Sequence, residues 1–247
     1  MVYKADRHFP DSEFGALPIA LRNQEMKKQF QKFLKHFDTG VDGIKVGETT
    51  LEKELAHLPP QVASDLEQEI MEDLVEHGEF GIRGSGVVLA IRREDGEAVV
   101  EKLLFRHGLA SELFEIDDES DGTKRLFDLV PLFATLTDAV VFIDEIDRSM
   151  HPQLTLEFVR LFYDLAHEKQ MQLIATTHES ALMDLDKVRQ DEIWFVERGS
   201  DYGSTIYSLD KFKVRYDKRV EKDYLLGRYG AIPLFSSFDF GEDEQCL

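Results

Sequence analysis

Apolar residues in this chain change period several times, and each change marks an element. From Asn23 to Asp38 the residues Met26, Phe30, Phe33, Leu34 and Phe37 fall on one stripe of a helix. A Gly-punctuated stretch, Thr39 to Glu48, is expected to break it. Thr50 to Leu58 and Pro60 to His77 then have the pattern of further helices, stopped by Gly78. Gly86 to Arg92 and Ala98 to Phe105 are rich in Val, Leu and Ile and flank Asp95-Gly96, a hairpin signal. From Thr123 onward Leu126, Leu129, Val130 and Phe133 recur at helical spacing, and the strand-like Ala139 to Ile143 follows. Pro152 to Glu168 places Leu154, Phe158, Phe162 and Leu165 on one helical face. Met171 to Thr176 and Glu192 to Val196 are two more apolar strand candidates. Strand, helix and strand in alternation predict an α/β fold, a parallel sheet flanked by helices.

Composition adds bounds. With 247 residues and 43% hydrophobic content, the chain can bury a substantial core. Its apolar runs are too short to span a bilayer, and Met1 opens no basic-then-apolar leader; both point to a cytoplasmic protein without a membrane partner. The lone Cys246 fits a reducing compartment. A formal net charge of −20 argues against nonspecific nucleic-acid binding over the whole surface. Basic residues do cluster at Lys27, Lys28, Lys32 and Lys35 and between Lys211 and Arg228; solvated faces explain them, and a local nucleic-acid contact stays open.

Three short segments carry chemistry. In Val140-Val141-Phe142-Ile143-Asp144-Glu145 a buried strand ends in two carboxylates, at the sheet edge where α/β proteins bind ligands. Phosphoryl transfer to water needs one carboxylate for Mg²⁺ and an acceptor that orients the water; Asp144 suits the first role and Glu145 the second. An ordinary strand-to-loop boundary has the same local sequence. Thr176-Thr177-His178-Glu179 follows the next strand, and a right-handed crossover would bring His178 to the same edge. There it can donate to a terminal phosphate, although a lone histidine after a strand is also an ordinary polar residue. Finally, Glu119-Ser120-Asp121-Gly122-Thr123-Lys124-Arg125-Leu126 precedes an apolar-periodic helix. Ser120 and Thr123 supply hydroxyls and Gly122 permits close backbone approach, either to an anion at the helix start or in a plain N-cap.

In this order the three segments resemble the ABC and SMC class of ATPases. Glu119 to Leu126 looks like the signature motif, Val140 to Glu145 like the Walker B strand, and His178 like the switch histidine. The closer resemblance is to bacterial AAA-family ATP-binding proteins with an ABC-like fold, the RloA-type and related phage-defence ATPases. Asp144 to Pro152 (DEIDRSMHP), Asp191 to Glu197 (DEIWFVE) and Tyr224 to Phe235 (YLLGRYGAIPLF) carry it further. It covers roughly Phe114 to Phe235. It implies a P-loop NTPase fold, ATP and Mg²⁺ as cofactors, and two heads sandwiching ATP. Asp144 would serve the metal, Glu145 the water and His178 the γ-phosphate; Ser120, Gly122, Thr123 and Lys124 would face nucleotide on the opposite subunit. Ser149 and His151 would lie in the loop facing the partner, where His151 departs from the aspartate usual in SMC heads.

No G-x-x-x-x-G-K-[ST] loop occurs in the 247 residues; Gly40 to Gly47 and Gly81 to Gly86 lack the closing Gly-Lys-Ser/Thr. The expectation is therefore a fragment, a split subunit or a degenerate copy. The expected assembly is a homodimer or a complex with an ATPase partner supplying the loop, and a nuclease effector is a further partner by analogy. A non-catalytic subunit docking on an intact ATPase, or a metal-dependent nuclease, are alternatives. The expected organisation is an irregular segment at 1–23, a helical insertion at 24–80, a β-hairpin subdomain at 81–108, the ATPase C-terminal lobe at 109–235 and an acidic tail at 236–247.

Overall fold

The computed structural model describes residues 2–3, 19, 21–84, 87–108, 111–134, 136–199, 202–215 and 219–233. Gly86, most of the irregular N-terminal segment, Leu234-Phe235, the acidic tail and Cys246 lie outside them. The chain divides into two compact units, residues 1–178 and 179–247.

The first unit holds two sheets. One is parallel, with order β1-β6-β7: β1 (Val2–Tyr3), β6 (Ala139–Ile143) and β7 (Met171–Ala175). β6 and β7 pair in register from Ala139 opposite Met171 to Ile143 opposite Ala175. Their crossover is the long helix α5 (Pro152–Lys169), as the alternating pattern predicts. Val2 and Tyr3 pair with Phe142 and Ile143, so the expected irregular start contributes a short parallel strand.

The second sheet is antiparallel, in the order β2-β5-β4-β3. β4 (Val87–Glu94) and β5 (Glu97–His107) form the expected hairpin about Asp95-Gly96, and β3 (Glu79–Gly84) extends it. β2 (Val41–Thr49) is a correction, because the Gly-rich stretch expected to be a break is a nine-residue strand paired with β5. Its glycines are where bulky β5 side chains lie. A Cβ on Gly43 would meet the Arg106 guanidinium at 3.2 Å, and one on Gly47 the Leu104 Cδ1 at 3.2 Å. α2 (Leu51–Leu55) is shorter than the helix expected to Leu58. α3 (Pro60–His77) starts on a proline at its first position and ends at Gly78 with φ 79°, a conformation glycine adopts freely. Ile70 and Leu74 of α3 pack with Leu89, Ile91 and Val100 under the sheet.

Phenylalanines join the layers. α1 (Gln24–His36), capped by the Asn23 side chain, sends Phe30 edge-on to Phe127 of α4 (Asp121–Ala134) at 5.4 Å. Phe127 also meets Phe105 of β5 at 5.5 Å. Phe133 of α4 touches Phe33 of α1 at 5.0 Å and Phe158 of α5 at 5.1 Å. Each such pair contributes about 0.5–1.5 kcal/mol beyond area burial. α4 is thereby held to α1, β5 and α5 together, which fixes where its N-terminus lies.

On the parallel sheet Val141 and Ile143 are fully buried, whereas Val140, Phe142 and Ile174 point outward and stay 43%, 38% and 44% exposed. Parallel sheets are ordinarily covered on both faces, so this face is unusually apolar for one in contact with water.

In the second unit the strand expected at Glu192 to Val196 begins only at Trp194, after a 3-10 turn at Gln190–Glu192, and is not a member of the parallel sheet. β8 (Trp194–Arg198) pairs antiparallel with β9 (Ser204–Ser208), whose polar sequence gave no strand signal. Phe195, Leu209, Val220 and Tyr229 form its core, with Val220 on the short helix α6 (Val220–Leu225). Among the described residues no helix is long and apolar enough to cross a membrane.

Candidate functional site

The site is built where β6 and β7 end together. β6 delivers Asp144 and Glu145; β7 delivers Thr176, Thr177 and His178. The ladder runs one step beyond the strands, because the Thr176 N–H donates to the Ile143 carbonyl and the Ile146 N–H to the Thr176 carbonyl, both at 3.0 Å. The Thr176 hydroxyl donates to Asp144 Oδ1 at 2.5 Å and accepts the Glu145 N–H at 2.8 Å. At Glu145 the backbone enters the left-handed region, φ 49°, which a side-chain-bearing residue seldom adopts.

Asp147 organises the other half of the corner. Its Oδ1 accepts from the Thr177 hydroxyl at 2.7 Å and from the His178 N–H at 3.2 Å. His178 is thus held through its backbone, while its ring is free to reach outward, with a side chain 85% exposed. The ring Nε2 lies 3.9 Å from Glu145 Oε1, and Arg148 Nη1 lies 3.9 Å from Glu145 Oε2. Glu145 therefore has a cation within reach on either side once His178 is protonated. The spacing argument that His178 shares an edge with Asp144 and Glu145 matches the geometry.

The N-terminus of α4 abuts the same loop. Ser120 Oγ accepts the Thr123 N–H at 3.2 Å and lies 3.0 Å from Thr123 Oγ1, a hydroxyl cap of the helix. Gly122 approaches the loop so closely that a Cβ would sit 3.0 Å from the Ser149 carbonyl oxygen. One turn on, the buried Arg125 reaches over with Nη2 to the carbonyls of Asp144 at 3.5 Å and Glu145 at 3.3 Å. Burial and the neighbouring Arg148 lower the pKa of its guanidinium from the ordinary arginine value. Sequence spacing brings Ser120, Gly122 and Thr123 here, but Lys124 turns away: its Nζ donates to the Asp117 carbonyl at 3.2 Å. Upstream, the buried Glu119 carboxylate bonds His107 Nε2 at 2.6 Å, tying this segment to the end of β5. His151 caps α5, its Nδ1 accepting the Gln153 N–H at 3.2 Å.

Sequence reading overlooked Arg125, Thr176, Thr177 and Asp147. Arg125 stood inside the Glu119 to Leu126 segment and Asp147 inside the loop after the strand. Their partners are non-local, so only the fold reveals them.

Among the described residues no three His, Cys, Asp or Glu side chains gather around a metal position. Mg²⁺ shared with phosphates and water asks for only one or two carboxylates. The exposed Asp144, fixed through a single oxygen, has the chemistry for that.

The paired carboxylates and the histidine lie beyond the carboxyl ends of adjacent parallel strands, where open α/β sheets bind their ligands. The chain belongs to the family described as "AAA domain, putative AbiEii toxin, Type IV TA system", whose model matches residues 9–184. No curated protein matches it. A solved structure described as "Structural biochemistry of ATP-driven dimerization and DNA stimulated activation of SMC ATPases" is similar at 15% identity with a TM-score of 0.42. The match covers 85% of this chain and 95% of that one.

Proposed function

We propose that this chain is the carboxylate-bearing part of an ATPase that hydrolyses Mg²⁺-ATP between two heads and so controls an attached effector. The observation that carries the reading is the convergence of Asp144, Glu145 and His178 at one corner, reinforced by Thr176 and Asp147. Asp144 holds the metal, which when bound offsets the charge of the phosphate oxygens. Glu145 accepts a hydrogen bond from the attacking water and draws its proton away. His178, anchored by its N–H and exposed at its ring, donates to the terminal phosphate. Ser120, Gly122 and Thr123 face the nucleotide held by the other head, the α4 N-terminus favouring its negative charge. Lys124 reaches that ligand only by leaving Asp117. The heads pair as a homodimer or with an ATPase partner; the phosphate-binding loop is not among the 247 residues and comes from outside them. The effector-coupled role in phage defence, with a nuclease as one candidate effector, rests on the resemblance given above alone.

A second reading is a non-catalytic subunit that docks on an intact ATPase. Phosphate release separates the two. The tagged full chain is isolated from the cells that encode it, so that companion subunits come with it. Glu145→Gln abolishes turnover and retains ATP under the first reading, and changes nothing under the second.

A further inference from the structure

Thr176 carries more than a strand end. Its main chain is fixed on both sides by the ladder bonds to Ile143 and Ile146. Its β-branched side chain has few rotamers to choose from, so the backbone aims the hydroxyl. That one oxygen donates to Asp144 Oδ1 and accepts from the Glu145 N–H. Two consecutive residues, assigned above to metal and water, therefore take their orientation from a single atom on the neighbouring strand.

We infer that Thr176 is a positioning residue of this site, acting through Asp144 and Glu145 without touching the ligand. The inference rests on the hydrolytic reading proposed above. Its chemistry is restrictive. Within the length of a threonine side chain, only a hydroxyl combines a strong donor and a strong acceptor on one atom. The bond to Oδ1 fixes the carboxylate plane and leaves the second oxygen to face a cation. The bond from the Glu145 N–H holds the peptide preceding the left-handed residue, whose φ of 49° sets where the Glu145 side chain leaves the chain. Thr177 holds Asp147, and Asp147 the His178 N–H, so the two adjacent threonines divide the work between carboxylates and histidine. Asp144, Thr176, Thr177 and His178 are exposed and Glu145 and Asp147 half-buried, so water can replace a lost bond without unfolding the domain. The loss falls on orientation, and partners of ligating carboxylates typically change metal affinity or activity 10–100-fold when removed.

The test compares Thr176→Val, which keeps the shape and removes both bonds, with Thr176→Ser, which keeps the hydroxyl. In the ligand-free full chain, hydrogen exchange at the Glu145 amide should accelerate about tenfold or more in the valine variant, with exchange in the Phe158 helix unchanged. In the complex isolated with its companions, the Mg²⁺ concentration for half-maximal hydrolysis should rise about tenfold at constant KM for ATP. Serine should restore both readouts to within about twofold. A valine variant with the wild-type Mg²⁺ requirement, or a serine variant as impaired as valine, overturns the inference and leaves the hydrolytic reading standing. Turnover indifferent to Asp144→Asn and Glu145→Gln overturns that reading, and this inference falls with it.

Discussion

Gly122→Ala tests how closely the start of α4 is set against the loop after β6. Two effects oppose each other. In a helix interior alanine is favoured over glycine by about 0.8–1.0 kcal/mol, and Gly122 is the second residue of α4, where that gain is smaller. Against it, the added methyl would lie 3.0 Å from the Ser149 carbonyl oxygen, when ordinary contact begins near 3.4 Å. Something must move by a few tenths of an ångström. Ser149 has little room to yield: its φ is 60°, and the loop is closed by the Met150 N–H donating to the Asp147 carbonyl at 3.1 Å. On the other side α4 is fixed by Phe127 and Phe133. Overpacking of this kind costs about 1–3 kcal/mol. The net expectation is a loss of between about 0 and 3 kcal/mol in urea unfolding of the full chain, at unchanged slope with denaturant. Hydrolysis by the isolated complex should fall further than stability, because the displaced loop carries Glu145 at its head. A variant more stable by about 1 kcal/mol with wild-type turnover would refute the reasoning, showing that the close approach constrains nothing.

Arg125→Met keeps a buried stem but removes the donors to the Asp144 and Glu145 carbonyls. It should cost about 1–3 kcal/mol in urea unfolding, with faster exchange of the Ile146 amide, whose own peptide carbonyl Arg125 holds. Phe158→Ala empties a fully buried position against Phe133 and should cost about 3–5 kcal/mol by the same measurement. Glu157 ties α5 to α1 through His36. Its carboxyl is pulled from an ordinary 4.5 down to about 2, chiefly by hydrogen bonds from Arg160. A depressed carboxyl pKa stabilises the fold above the unfolded value and loses that stabilisation as pH falls toward 2. The deficit of Glu157→Gln relative to wild type should hold steady from pH 6 to 4.5 and shrink below; a deficit that grows on acidification would contradict the assignment.

The corner at Asp144-Glu145 was legible because a parallel strand buried on one side writes itself as an apolar run, and the carboxylates that end it break the run abruptly. His178 followed from crossover geometry, which needs only the order of elements. β2 was illegible for a local reason: Gly43 and Gly47 remove the side chains by which strands are recognised, and they do so because Arg106 and Leu104 of β5 fill that space. β8 was recognised as a strand and counted toward the parallel sheet, since β9, Ser-Thr-Ile-Tyr-Ser, has too few apolar positions to announce a hairpin. Lys124 illustrates the limit of motif content. Its place in the segment suggested a ligand contact, while the nearest anion to its ammonium is Asp117 of its own chain. The forked hydroxyl of Thr176 and the reach of Arg125 depend on how two separate strands and a helix end meet, which no periodicity encodes.

The central claim, that Asp144 and Glu145 serve ATP hydrolysis, is tested most directly by phosphate release from the complex isolated with its companion subunits, wild type against Glu145→Gln. The account predicts Mg²⁺-dependent turnover in the wild type, and in the variant bound ATP that is not hydrolysed. Equal rates in the two preparations, or no ATP bound by either, would contradict it.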